Sequence, residues 1–315
     1  MDVDFKRLAS FMWIADLGSL SRAADRMRVA QPALSRQMRL LEAELGVPLF
    51  ARHRRGMSLT SAGEELRSRL LGPLRQIDMV IEDIRSLSSE VAGNIAIGVP
   101  PTVSLVLAGS LAKRVVNQAP NVSLRVVEGY AAHLVDWLQR GEIDVAILYG
   151  PAADLQLKTE ELLVEDICLV GSAESRLSPD KGIKFKELST IPLILPSRPH
   201  GLRVVADNAA AKAKLRLNVR FQADSFVLMK ELVESDLGYS MMPYSAVARE
   251  VEAGRLCWAP IIDPAVRRQL VLATHLGATS RTGQTLTKII RREIAELVNS
   301  GRWSATILFD KSSLE

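Results

Sequence analysis

Residues 18–50 read GSLSRAADRMRVAQPALSRQMRLLEAELGVPLF and predict two short helices joined by a turn. Ser19 and Ser21 are residue types that accept a hydrogen bond from a free N–H at a helix N-terminus, so we expect one of them to cap the first helix. Residues 28–30 interrupt the helical pattern. Gln31-Pro32 then opens a second helix with proline in its first turn, where no helical hydrogen bond is lost.

The second helix separates into an apolar face and a polar face. The apolar residues recur at steps of four, three and four, which predicts a buried stripe of Leu34, Met38, Leu41 and Leu45. The polar face carries hydrogen-bond donors and arginines near the start of the helix, which suits insertion into the major groove of DNA. Taken alone, this pattern favours an ordinary amphipathic helix with a solvated polar face.

A basic turn and a local excess of positive charge favour DNA binding over a solvated polar face. Residues 49–60 are typical of two short strands around a turn that contains Arg52, Arg54 and Arg55, and such a wing can reach phosphates or the minor groove. Residues 1–58 contain ten Lys and Arg against six Asp and Glu, whereas the whole chain contains 40 against 36. Basic charge confined to one short segment indicates a nucleic-acid-binding module.

Residues 5–63 resemble the winged helix-turn-helix of LysR-type transcriptional regulators. The matching positions are Phe5, Leu8, Phe11, 18–24 (GSLSRAA), 30–37 (AQPALSRQ), Leu41-Glu42, Leu45-Gly46, 49–52 (LFAR), Leu59-Thr60 and Ala62-Gly63. So many residues at fixed spacing form a specific signal.

The resemblance implies which residues approach DNA. Gln31, Pro32, Ala33, Ser35 and Arg36 would face bases and backbone, with Arg52 and Arg55 at or near the wing. The full set of candidate DNA-binding residues is Gln31, Pro32, Ala33, Ser35, Arg36, Arg39, Arg52, Arg54 and Arg55. The expected partner is a double-stranded promoter site with dyad symmetry, bound by a homo-oligomer, as a tetramer built from two dimers, with RNA polymerase as a further possible partner.

Length and composition are those of a globular protein with several domains. A chain of 315 residues accommodates two or three domains, and 48% hydrophobic with 24% charged residues is ordinary. No run approaches the roughly 18 apolar residues that a membrane span needs, and the mixed, acidic start does not resemble a signal peptide. We therefore expect a cytoplasmic protein. Cys168 and Cys257 lie in apolar strand-like runs, which favours buried small hydrophobes over a redox-sensing pair.

Residues 61–90 are predicted to form one long helix that links the DNA-binding module to the rest. Its apolar positions follow the seam spacing of a coiled coil, although a helix packed on its own domain gives the same periodicity. Gly72-Pro73 predicts a kink or a break. The seam positions are Leu66, Leu70, Pro73, Ile77, Val80, Ile84 and Leu87. In the resembled family this helix pairs antiparallel with its copy, so a dimer is expected.

From residue 91 onward strands alternate with helices, which predicts parallel sheets with helices on both faces. The expected fold class is a multi-domain α plus α/β chain: a winged helix-turn-helix over 1–60, a linker helix over 61–90 and an α/β effector-binding domain over 91–315. By resemblance, that domain has two lobes of the periplasmic-binding-protein type. Lobe I is expected at 91–163 and 268–300, and lobe II at 164–267, with crossings near 163 and 267.

Two-lobed α/β domains bind ligands in the crevice at the carboxyl ends of their strands. Thr102 and Ser104 open a helix after a strand, where free N–H groups and hydroxyls suit a carboxylate, although a plain helix cap explains them equally well. His200 either contacts the ligand or lies in a solvated loop. The candidate effector-binding residues are Thr102, Ser104, Gly129, Tyr130, Ser197, His200 and Arg203.

Competing function classes have little support in the sequence. Glycine-rich phosphate loops and metal-binding histidine motifs are absent, the four histidines are scattered, and no catalytic set stands out, so we expect no enzyme activity, cofactor or metal. A solute-binding protein would not explain residues 1–60, and an architectural DNA binder would not need a large neutral α/β region. The predicted function is an effector-modulated, sequence-specific transcriptional regulator. The more distant likeness to nitrogen-assimilation regulators of the same family leaves open that no effector is required.

Overall fold

The computed structural model describes residues 4–53, 56–86, 91–150, 157–275 and 280–310. The chain divides into two compact units, one of residues 1–84 with 139–142 and the other of the remaining residues. Each unit is described by itself. Among the described residues, none of the helices is long and apolar enough to cross a membrane.

The first unit is a helical module with a two-stranded hairpin. Its elements are α1 (Phe5–Leu17), α2 (Leu20–Met27), α3 (Gln31–Leu45), β1 (Phe50–His53), β2 (Gly56–Leu59) and α4 (Ser61–Ser86). Ser19 caps α2 by accepting a hydrogen bond from the Arg22 N–H at 3.4 Å, as predicted for one of the two serines. Arg28 ends α2 in the left-handed conformation, which turns the chain toward α3.

Small and apolar side chains from α1, α2 and α3 form the core of this unit. Ala23 and Ala24 of α2 are fully buried, and their small size lets α3 pack closely. Leu34, Met38 and Leu41 of the predicted stripe are buried, whereas Leu45 at the end of α3 is exposed. The buried stripe is therefore one residue shorter than the sequence predicted, because Leu45, the last residue of α3, lies beyond the core.

The sequence predicted a kink or a break at Gly72-Pro73, and the break does not occur. α4 runs from Ser61 to Ser86 with Pro73 inside it. Proline removes one N–H and therefore one hydrogen bond from a helix, and the bonds of the neighbouring turns keep the helix continuous. Residues 87–90 of the predicted linker helix lie outside the described residues.

The second unit is an α/β structure, as predicted. Its elements are β3 (Gly93–Val99), α5 (Pro101–Gln118), β4 (Val122–Glu128), α6 (Ala131–Gln139), β5 (Val145–Tyr149), β6 (Leu157–Ser172), β7 (Ile183–Lys184), β8 (Leu193–Leu195), α7 (Gly201–Lys212), β9 (Val219–Gln222), α8 (Phe226–Glu234), β10 (Ser240–Pro243), α9 (Ala248–Glu252), β11 (Leu256–Ile262), β12 (Val266–His275), α10 (Arg281–Asn299) and β13 (Thr306–Ile307). Short 3-10 turns occur at Ala173–Ser175, Phe185–Ser189 and Tyr244–Ala246.

The sheets are mixed, which corrects the prediction of parallel sheets. The main sheet has the order β4-β3-β5-β12-β6-β11-β7, with β10 and β13 also paired to β6, and β8 pairs β9 separately. β3 lies parallel to β4 and β5, but β12 lies antiparallel to β5 and β6. The reason is topological. β6 leads from lobe I into lobe II and β12 leads back, so these two strands must run in opposite directions.

Each lobe has its own hydrophobic core on its side of these crossing strands. In lobe I, α5 and α10 pack on the sheet through buried residues such as Leu107, Leu111, Ile290 and Leu297. In lobe II, α7 and α8 pack around Leu202, Met229 and Val233. The expected crossings near 163 and 267 fall within β6 and β12.

The two cysteines lie on different strands of lobe II. Cys168 on β6 is buried, and burial raises the pKa of its thiol to about 12. Cys257 on β11 is half-buried and donates to the Ser172 carbonyl oxygen at 2.9 Å. Both positions fit small packed side chains, and a thiol with a raised pKa is a poor nucleophile at neutral pH.

A buried ion pair joins the two crossing strands. Arg268 on β12 lies directly opposite Glu165 on β6, and its Nε donates to Glu165 Oε1 at 2.6 Å. The two side chains are 2% and 1% exposed. Burial disfavours a charged guanidinium, but Glu165 and Tyr149 outweigh this effect and raise the pKa of Arg268. Trp303 Nε1 donates to the second carboxylate oxygen at 3.1 Å.

Arg268→Met leaves the Glu165 carboxylate buried without its partner, which should lower the free energy of unfolding by about 3–5 kcal/mol. Arg267→Met is the matched control, because the neighbouring arginine makes an exposed ion pair and should change stability by about 0–1 kcal/mol. Urea unfolding of both variants measures the difference. Equal effects would show that the buried pair does not stabilise the junction between the lobes.

Candidate functional site

The polar start of α3 lies on the surface of the first unit. Gln31, Pro32, Ala33, Arg36 and Arg39 are exposed and Ser35 is half-buried. Ser21 Oγ lies 3.3 Å from Gln31 Oε1 and donates to it, so α2 holds the first side chain of α3. Within the part of the chain that the structure describes, neither Arg36 nor Arg39 has a carboxylate partner. Both guanidinium groups are therefore available to an anion.

The β1–β2 hairpin is attached to the helices by hydrogen bonds from its backbone N–H groups. Glu42 Oε1 on α3 accepts from the N–H groups of Leu49 (2.8 Å) and Phe50 (3.2 Å), just as the hairpin begins. Met57 N on β2 donates to the Gly18 carbonyl oxygen at 3.1 Å. The wing thus has a fixed position beside α3. Sequence reasoning missed this role of Glu42, although a carboxylate three residues from the end of a helix is a recognisable local signal.

Arg52 lies on β1 of the wing. Arg54 and Arg55, the other two predicted wing residues, lie outside the described residues. His53 and Ser58 face each other across the hairpin, with Nε2 and Oγ 2.8 Å apart.

In the second unit, Thr102 belongs to the floor between the lobes. It is 1% exposed, and its hydroxyl lies 3.0 Å from Tyr149 Oη and accepts from Arg268 Nη2 at 2.8 Å. The Tyr149 ring covers the Arg268 guanidinium, with 4.6 Å from Cζ to the ring centroid. Burial is the main cause that raises the pKa of Tyr149, so its hydroxyl stays protonated. Sequence reasoning found Thr102 but missed Tyr149, Arg268 and Glu165.

The predicted hydroxyl ligands Ser104 and Ser197 already contact carboxylates of the chain. Ser104 Oγ donates to Glu128 within lobe I. In lobe II, Ser197 donates to Asp224 Oδ1 through its N–H (2.7 Å) and its hydroxyl (2.6 Å). The bonds from Ser197 are the main cause that lowers the pKa of Asp224, so that carboxylate is ionised at neutral pH.

Tyr130 and His200 meet across the cleft. Tyr130 Oη in lobe I donates to the Asp224 carbonyl oxygen in lobe II at 2.5 Å, and its ring centroid lies 4.8 Å from that of His200. His200 Nδ1 accepts from the Leu202 N–H at 3.1 Å and so caps α7. Burial lowers the pKa of His200, which keeps the imidazole neutral at pH 7. His200 is thus both a helix cap and a cleft residue, rather than a solvated loop residue.

The remaining two predicted effector residues serve the structure around the cleft. A Cβ at Gly129 would lie 2.7 Å from the Trp137 ring, so a side chain there would displace the ring where β4 ends against α6. Arg203 donates to Asp207 Oδ1 (3.0 Å) and to the Pro196 carbonyl oxygen (3.1 Å), which directs its guanidinium to its own lobe. No group of His, Cys, Asp and Glu side chains within the described ranges could hold a metal ion.

A winged helix-turn-helix with an exposed basic reading helix and a two-lobed ligand-binding domain define a DNA-binding transcriptional regulator with an effector domain. Family models agree with this class. "Bacterial regulatory helix-turn-helix protein, lysR family" matches residues 5–64, and "LysR substrate binding domain" matches residues 88–295. The chain belongs to the LysR family of transcriptional regulators.

Individual relatives are similar along nearly their whole length. The HTH-type transcriptional regulator BbuR of Bordetella bronchiseptica is 30% identical, with 96% of this chain and 93% of that protein covered. The nitrogen assimilation regulatory protein nac of Klebsiella aerogenes is 28% identical over 91% of this chain and 94% of its own length. The likeness to nitrogen-assimilation regulators predicted from the sequence is confirmed.

Solved structures share the fold. A full-length variant of OxyR from Pseudomonas aeruginosa has a TM-score of 0.74 at 25% identity, with 93% of this chain and 94% of that chain covered. Full-length CbnR, solved in complex with its target DNA, has a TM-score of 0.66 at 20% identity and covers 92% and 99% of the two chains. The predicted fold class is confirmed.

Gly56→Ala should displace the wing. The backbone at Gly56 has a φ of +135°, and a Cβ there would lie 2.7 Å from the Gly18 carbonyl oxygen. Gly46 is a matched control, since its φ is +72° and a Cβ would have nothing within 4 Å. Gly46→Ala should cost about 1–2 kcal/mol of stability through backbone strain alone.

We expect Gly56→Ala to cost more than Gly46→Ala and, unlike the control, to weaken binding to duplex DNA. Thermal unfolding and fluorescence anisotropy with labelled DNA measure the two effects. Equal DNA affinity of the two variants would contradict the position of the wing beside the reading helix.

Proposed function

We propose that the start of α3 enters the major groove and supplies most of the base discrimination. The observation that carries this proposal is an exposed polar face at the N-terminus of α3 with two arginines that lack a carboxylate partner among the described residues. Gln31, Ser35 and Arg36 present donors toward base edges, and Arg39 lies one turn further along. Pro32 and Ala33 allow a close approach because they are short.

The wing contacts the DNA backbone in this proposal. Arg52, Arg54 and Arg55 provide charge for phosphates or an adjacent minor groove. Phosphate neutralisation supplies most of the affinity, so binding falls steeply as salt rises.

The protein acts as a homo-oligomer on a dyad-symmetric promoter site. α4 exposes Ile77, Val80, Ile81 and Ile84, which are 42%, 62%, 40% and 64% exposed. Ile77, Val80 and Ile84 are positions of the predicted seam, and Ile81 lies beside them on the helix. An apolar stripe of this spacing on a helix is the contact surface of a coiled coil. Pairing of α4 with its copy makes a dimer, two dimers make the tetramer, and RNA polymerase is a further partner at the promoter.

A small-molecule effector binds between the lobes and changes their closure. Thr102 and Tyr149 lie on the floor of this cleft, with Tyr130 and His200 above them. A ligand carboxylate at Ser104 or Ser197 has to displace Glu128 or Asp224, which already occupy those hydroxyls. A regulator that needs no effector is the second candidate, and the contact of Tyr130 with lobe II favours it because the chain itself spans the cleft.

The division into domains supports these roles. We assign DNA binding to residues 1–60, dimerisation to 61–90 and effector binding to 91–315. The protein works in the cytoplasm, where its promoter DNA is, and acts without a catalytic step of its own.

Arg36→Ala should weaken binding to the cognate site by about 1–3 kcal/mol and relax the base preference at one position. Arg216→Ala is the control, because Arg216 is an exposed arginine of the second unit and should leave DNA affinity unchanged. Anisotropy titrations with cognate and scrambled duplexes compare the two variants. Equal weakening on every duplex would make Arg36 a phosphate contact and remove it from base recognition.

Val80→Lys should dissociate the dimer, because a charged side chain then replaces an apolar one in the α4 seam. Glu64→Lys on the first turn of the same helix is the control and should leave the dimer intact. Analytical ultracentrifugation gives the dissociation constants. A Val80→Lys variant as oligomeric as the control would exclude this stripe as the dimer contact.

A further inference from the structure

The crossing strands carry two ion pairs on opposite faces. Neighbouring residues of a strand point to opposite sides of the sheet. Glu165 and Arg268 face the floor of the cleft, whereas Asp166 and Arg267 form a second pair, with Arg267 Nε 2.9 Å from Asp166 Oδ1. These two side chains are 71% and 67% exposed. The effector cleft does not use this second pair.

A groove with a volume of about 370 Å³, open to solvent, lies beside the second pair, between the crossing strands and the C-terminal segment. We call it the hinge pocket. Its lining combines one charge of each sign with two hydroxyls and apolar side chains, contributed by Val164, Asp166, Arg267, Ser304, Thr306 and Leu308. β13 forms one wall because Thr306 pairs with Val164 of β6.

The groups that line the hinge pocket have unused hydrogen-bonding capacity. Arg267 donates to Asp166 through Nε, and its Nη1 and Nη2 contact no acceptor within the described part of the chain. A guanidinium with free nitrogens binds a carboxylate through two parallel hydrogen bonds. The second oxygen of Asp166 then accepts from an ammonium or hydroxyl group close to that carboxylate. Val164 and Leu308 offer an apolar wall.

We propose that the hinge pocket binds a small aliphatic 2-amino or 2-hydroxy carboxylate. The carboxylate lies on Arg267, the adjacent donor lies on Asp166, and the aliphatic part lies against Val164 and Leu308. A simple carboxylate leaves the second oxygen of Asp166 without a donor from the ligand, and a simple amine leaves the Nη atoms of Arg267 without an anion from the ligand. The pair of opposite charges therefore selects ligands that carry both kinds of group on neighbouring atoms.

A ligand in this pocket acts on the junction between the lobes from the face opposite the effector cleft. It contacts both crossing strands and Ser304. The next residue back, Trp303, donates to Glu165, and Glu165 holds Arg268, which donates to Thr102. The hinge pocket and the floor of the cleft are thus connected by one chain of contacts. A ligand in the hinge pocket can change the closure of the lobes through these contacts.

Isothermal titration of the full chain with L-valine and L-2-hydroxyisovalerate tests the proposal, with isovalerate as the analogue that has the same carbon skeleton and lacks the second group. Both two-group acids should bind, and isovalerate should bind at least about tenfold more weakly. Arg267→Gln should weaken binding of the two acids at least about tenfold. Arg216→Gln, which removes an exposed arginine outside the pocket, should leave the affinity unchanged.

Thr306→Val is a second variant of the lining, because it preserves the shape of the side chain and removes a hydroxyl that holds no group of the proposed ligand. It should change the affinity for the two acids less than Arg267→Gln does. Binding that survives Arg267→Gln, equal affinity for isovalerate, or no binding of either two-group acid to the unmodified chain would each overturn the proposal. None of these results depends on DNA binding.

Discussion

The pairing of β6 with β12 is the constraint on which the second unit depends. One chain leaves lobe I and returns to it, so both lobes are attached to two antiparallel strands that meet at a single junction. Arg268 and Glu165 occupy directly opposed positions there, and both are buried. A buried charge is tolerated only when it is paired and hydrogen-bonded, so this pair requires its neighbours to remain in place. Thr102 and Trp303 are two of these neighbours, and they connect the helix that opens the cleft to the C-terminal segment.

In the DNA-binding unit, a few contacts fix the position of α3. Ala23 and Ala24 bring α3 close to α2, and Glu42 at the far end of α3 holds the start of the wing through two backbone N–H groups. The position of α3 is therefore fixed by α2 and by the start of the wing. The face that remains outward carries the polar and basic side chains, so substitutions there leave the core intact.

Local signals explain what the sequence could predict. The cap at Ser19, the stripe of α3 and the alternation of strands and helices depend on residues a few positions apart, and each was found. Thr102 was found for the same reason, because it follows a strand and opens a helix. Its partners were not found, since Tyr149 and Arg268 are distant in sequence and only the antiparallel return of β12 brings them together. Pro73 is the opposite case, because a local rule predicted a kink or a break and the helix continues through the proline.

The central claim is sequence-specific recognition of duplex DNA by α3, and selection from a random double-stranded pool tests it most directly. Purified full-length protein at moderate salt should enrich an inverted repeat, and the Arg36→Ala variant should lose preference at symmetric positions within it. Retention of DNA without any enriched sequence, or no retention at all, would contradict the account.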